Sequence, residues 1–120
     1  MDREAIRAYC NTLPGSIELE LGHPKNILLF WVDGKQFAYF KTSEPERWRF
    51  SIRVLPERFL ELTDLPGVKP ARYMGRFHWV TIVDTQEFDT DYLLELINSS
   101  YHKAFSSLSK TKQQIILQSV

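Results

Sequence analysis

Residues 27–40 read ILLFWV-DG-KQFAYF, and this stretch decides the fold. Two runs rich in β-branched and aromatic residues flank Asp33-Gly34. A two-residue primed turn needs positive φ at both central positions, and Asp-Gly supplies it, so the stretch predicts a tight hairpin. Working outward, SIELELG (16–22) alternates Ile17, Leu19 and Leu21 with Glu18 and Glu20, the period of a strand with one wet face. RWRFSIRV (47–54) places Trp48, Phe50, Ile52 and Val54 on one face and Arg47, Arg49, Ser51 and Arg53 on the other. HWVTIV (78–83) reads as a fifth strand.

Helical spacing marks the flanks. Ala5, Ile6, Tyr9, Cys10 and Leu13 make one apolar stripe over residues 2–12, stopped by Pro14-Gly15. PERFLELTDL starts with Pro56, where a missing N–H costs little. Asp89 or Thr90 caps a long helix whose wide apolar face runs from Leu93 to Leu108. A last helix starts near Ser109 and carries Ile115, Ile116 and Leu117. Residues 65–77 read as a long loop with Pro66-Gly67 and Pro70 as breakers. The order α-β-β-β-β-α-β-α-α predicts an α+β fold: an antiparallel five-stranded sheet with helices mainly on one face, in a single domain over 1–120.

The 120 residues carry 15 basic and 15 acidic side chains. Zero net charge disfavours a molecule whose whole surface grips phosphates. The distribution is uneven. Arg47, Arg49, Arg53, Arg58, Lys69, Arg72 and Arg76 crowd the middle, whereas Asp84 to Tyr101 holds five acids and no Lys or Arg. Cys10 is the only cysteine, so no internal disulfide forms, and its place in the first stripe predicts a buried thiol. MDREAIRAYC has no signal-peptide core, and ILLFWV is too short to cross a bilayer. The expected location is the cytoplasm, with no membrane partner.

No catalytic constellation stands out. His23, His78 and His102 lack metal-ligand spacing, no Gly-rich phosphate loop is present, and no nucleophile has a His-plus-acid pattern. We expect no enzyme, metal or cofactor. The segment RYMGRFHW (72–79) is the best candidate site. Arg72 and Arg76 offer forked donors for an anion, His78 a further donor, and Trp79 a stacking ring. With Arg49 and Arg53 on the sheet they suit nucleic acid, where stacking contributes ~1–3 kcal/mol per base. The plain reading is that Tyr73, Met74, Phe77 and Trp79 only pack beneath the loop.

The motifs CNTLPG (10–15), GHPK followed by DGKQFAYF, VKPARYMGRFHWVTI and LLELINSSYHKAFSSLSK together resemble the MmcQ/YjbR family of small bacterial proteins, from Cys10 to about Lys112. The resemblance implies a CyaY-like or secretion-chaperone-like fold and a DNA-binding, double-wing label. The family's usual Met-Asn-Lys-x-His-Trp loop corresponds to Met74 through Trp79, with Gly75 for Asn and Arg76 for Lys. A CyaY-like iron site would need a carboxylate ridge, and the first helix carries only Asp2 and Glu4. The expected partner is therefore nucleic acid, DNA by the family label. The alternatives are a protein partner, with the chain an adaptor that is monomeric or a weak homodimer, and a small-ligand binder without catalysis.

Overall fold

In the computed structural model, which describes residues 1–119, Asp33 and Gly34 turn the chain with φ of 46° and 82°. This is the primed geometry their sequence demands, and it joins β2 (Ile27–Val32) to β3 (Lys35–Lys41). Around this hairpin lie β1 (Ser16–Leu21), β4 (Phe50–Arg53), β5 (Val68–Pro70) and β6 (Trp79–Ile82), in the order β1-β2-β3-β4-β6-β5. Every pairing is antiparallel.

The sheet thus has six strands where the sequence predicted five. Val68–Pro70 was expected to be loop, yet it pairs with β6, Val68 opposite Ile82 and Pro70 opposite Val80. Three residues bounded by Pro and Gly leave no periodicity to read, and a sheet edge tolerates a proline. The arginine strand is also shorter than expected. Trp48 has φ 68°, so Arg47 and Trp48 form a turn and the ladder starts at Phe50.

Alternation sorts the sheet into two faces. Leu28, Phe30, Ala38, Phe40, Phe50, Ile52, Val80 and Ile82 share one face by register and form the core. A bulge at Phe30/Trp31 admits Phe37 to the same core, with its ring centroid 6.4 Å from Phe30 and 5.5 Å from Tyr101. Phe40 and Phe50 pack at 4.8 Å. Fully burying each such ring contributes about 1.5–3 kcal/mol.

Helices cover this face. α1 (Arg3–Thr12), capped by Asp2 accepting from the Ala5 N–H, inserts Ile6 and Cys10. Burial pushes the Cys10 thiol up to about 12, with the Glu18 charge adding to the effect, so it stays protonated and inert at neutral pH. Arg7 Nε donates to Glu18 Oε1 at 2.8 Å and fastens α1 to β1. That bond holds the Glu18 carboxyl below its ordinary range.

α3 (Thr90–Ser106), capped by Asp89, supplies Leu93, Leu96, Ile97, Tyr101 and Ala104. α2 (Pro56–Thr63) starts at its proline and buries Leu62. Arg58 of α2 pairs with Glu95 of α3 at 2.9 Å. α4 (Lys110–Gln118), capped by Ser109, lays Ile116 on Gly15, where a Cβ would come 2.9 Å from the Ile116 Cγ2. Ile115 and Leu117 stay exposed.

Ser100 is the polar fastener. Its Oγ donates to the Phe37 carbonyl at 2.6 Å and accepts from the Arg53 N–H at 3.3 Å, tying α3 to β3 and β4 at a site 2% exposed. Ser100→Ala leaves both backbone groups without this partner, and urea titration should show a loss of about 1–3 kcal/mol. Ser106→Ala, on an exposed position of the same helix, should stay within about 0.5 kcal/mol of wild type.

Candidate nucleic-acid interface

The second face of the sheet carries no helix. Register strings one row across all six strands: Leu19, Leu29, Tyr39, Ser51, Thr81 and Lys69. The row is apolar at the β1 edge, hydroxylic in the middle and cationic at the β5 edge. Ser51 Oγ and Thr81 Oγ1 are hydrogen-bonded at 2.7 Å. Tyr39 stacks on Trp79 with ring centroids 5.8 Å apart.

Arg49 lies two residues before Ser51, opposite Lys41, and Arg72 follows the far end of β5. Both reach the same carboxylate: Arg49 Nη1 is 3.8 Å and Arg72 Nη1 3.9 Å from Glu46. Two guanidinium groups distant in sequence therefore meet around one anion, at distances too long for strong hydrogen bonds. The Lys41 ammonium donates to the Lys25 carbonyl at 2.9 Å.

The 71–78 segment arches beside this face. Tyr73 and His78 have φ of 66° and 68°, left-handed values that bulky side chains rarely adopt. Gly75–Phe77 forms one 3₁₀ turn. The arch pushes Tyr73, 87% exposed, and Phe77, 45% exposed, into solvent. The Arg72 guanidinium sits 5.9 Å from the Tyr73 ring and that of Arg76 4.7 Å from the Phe77 ring. Each is a cation–aromatic pair open to water.

These positions revise the expected site. Trp79, read as an open stacking ring, is 3% exposed and is a packing residue. Tyr73 and Phe77 present the rings instead. Arg49 and Arg72 come together, and Arg76 stands one 3₁₀ turn away on the arch. Arg53 and His78 do not join them: both line a cleft against α3. Sequence reading missed Glu46, whose role depends on where the β3–β4 connection folds back. It also missed Lys103, which faces Arg53 from 50 residues on. Among the described residues no three His, Cys, Asp or Glu side chains cluster so as to hold a metal ion, and no helix is long and apolar enough to cross a membrane.

The YjbR family model matches residues 11–103, which contain the whole sheet, α2, the arch and most of α3. The chain belongs to the YjbR family. It is 25% identical over 124 aligned positions to the uncharacterised protein YbdF of Escherichia coli O157:H7, covering 95% of this chain and 96% of that one. A crystal structure of a protein from Pseudomonas syringae superposes with a TM-score of 0.69 at 18% identity, over 87% of this chain and 99% of the other. That likeness concerns the fold.

The burial pattern separates packing from presentation among the YjbR-segment aromatics. Trp79→Ala should cost about 3–5 kcal/mol in chemical denaturation. Tyr73→Ser should leave stability within about 0.5 kcal/mol.

Proposed function

We propose that this protein is a non-enzymatic, cytoplasmic module that binds nucleic acid through the open sheet face and the arch. The observation that carries the reading is the meeting of half-buried Arg49 and exposed Arg72 at Glu46, beside the arch that presents the rings of Tyr73 and Phe77 to solvent. Guanidinium groups fit phosphate oxygens in a bidentate way, and exposed rings give bases a stacking platform. The Glu46 carboxylate occupies the phosphate position in the free protein. Its contacts with both arginines, at 3.8 and 3.9 Å, are long, so a phosphate that makes shorter, bidentate contacts displaces it. The DNA-binding, double-wing label that the family resemblance brings points the same way. The exposed rings favour single strands, whose bases are free to stack.

Fluorescence anisotropy with labelled single- and double-stranded oligonucleotides at rising salt tests this. Binding should weaken linearly in log salt. Replacing Arg49 and Arg72 by Ala should shallow the single-strand slope by about 1.4, that is about 0.7 for each lost phosphate contact. Glu46→Gln should tighten binding by about two- to fivefold. No binding at low salt, or a slope indifferent to the arginines, ends this reading.

A second reading rests on the other end of the same face. Ile17 is 53% and Leu19 37% exposed on β1, a strand with a free edge. An apolar edge of this kind suits a protein partner or a weak homodimer. Light scattering over a concentration series should then show reversible self-association that Ile17→Lys abolishes. A concentration-independent monomer mass removes the homodimer.

A further inference from the structure

A cleft lies between α3 and the ends of β4 and β6, and Arg53 and Trp79, paired across those two strands, line it. Its two adjoining parts, of about 60 and 390 Å³, share Arg53 and Lys103 in their walls. The smaller is lined by His78 and Ser99, the larger by Lys35, Gln36 and Ser107. No Asp or Glu lines either part. The chain carries as many acids as bases, and Arg3, Arg7, Arg49, Arg58, Arg72 and Lys112 all have carboxylates within ion-pair reach. Among the described residues nine cations have none, and three of these, Lys35, Arg53 and Lys103, line this one cleft.

We propose that this cleft is an anion site for a phosphate monoester, held by Arg53 and Lys103 with His78 and Ser99 as further donors. The geometry fits that chemistry. Arg53 supplies a forked guanidinium, Lys103 a point charge, His78 an imidazole N–H and Ser99 a hydroxyl. They arrive from a strand, a helix and the arch and line one recess. Ser99 and Lys103 are four apart on α3 and share one helix face. The smaller recess has room for on the order of four waters, enough for one tetrahedral oxyanion. The larger part holds the Trp79 edge, Phe77 and Met74, an apolar wall for whatever the phosphate is attached to.

The walls are prebuilt. Ser100 fixes α3 to the Arg53 backbone, and the His78 carbonyl accepts from the Val54 N–H at 2.9 Å. A terminal phosphate carries a second negative charge that an internal phosphodiester lacks, and a three-sided cationic recess favours the dianion. The ester is either a small phosphorylated molecule or the phosphorylated end of an oligonucleotide. The site stands whether or not the open face binds nucleic acid.

Backbone-amide NMR titration of the full chain with inorganic phosphate at low chloride tests the site. Amides of residues 53, 78, 99 and 103 should shift together, while those of 41, 49 and 72 stay put. Lys103→Met, on an exposed helix position, should weaken the response about tenfold and Lys103→Arg restore most of it. Replacing Arg49 and Arg72 should leave it unchanged, which separates this test from that of the open face. Tighter binding of a 5′-phosphorylated than of a 5′-hydroxyl oligonucleotide assigns the site to a strand end. Equal binding of the two, with the phosphate shifts intact, assigns it to a small phosphorylated molecule. Absent shifts, or shifts spread evenly over all exposed basic residues, overturn the proposal.

Discussion

The hydroxyl of Ser100 donates to the bulged Phe37 carbonyl and accepts from the Arg53 N–H, and the rest of the molecule is arranged around that link. It sits where α3 crosses the strand ends, inside an apolar layer where an unmade hydrogen bond is costly. The bulge and the serine are complementary. The extra residue in β3 turns Phe37 into the core, and the helix brings a donor to its carbonyl. Docking α3 this way commits the helices to one face of the sheet and leaves the opposite face without a helix.

That asymmetry sets the electrostatics. Carboxylates are distributed so that most arginines are neutralised locally, Arg7 by Glu18 and Arg58 by Glu95. Two places escape. On the open face one carboxylate, Glu46, is shared between Arg49 and Arg72. In the α3 cleft there is no carboxylate at all.

The hairpin at Asp33-Gly34, the cap at Asp89 and the stripes of α1 and α3 were legible because each depends on residues within a turn or two of one another. The edge strand Val68–Pro70 was not, because its only strand-like property is its partner, β6. Trp48 fitted a period-two pattern yet turns out of the ladder at φ 68°. The site was half legible. Arg and aromatic residues around 72–79 announced an unusual segment, and the arch is unusual. Which rings face water was inverted: Trp79 stacks under Tyr39, while Tyr73 and Phe77 emerge. One residue of phase in a loop decides that, and loops have no period to fix it.

By itself the sequence determined the α+β class, the antiparallel hairpin, the buried thiol of Cys10 and family membership, since all of these rest on local pattern or on motifs read in order. Only the tertiary structure decided the sixth strand, the company that each cation keeps and the existence of the cleft. Arg53 and Lys103 are 50 positions apart, and Arg72 comes from a different connection than Glu46 and Arg49, which are three residues apart before β4. Their proximity follows from how far the sheet twists and where one helix lands, and neither is encoded in the identity of the charged residues.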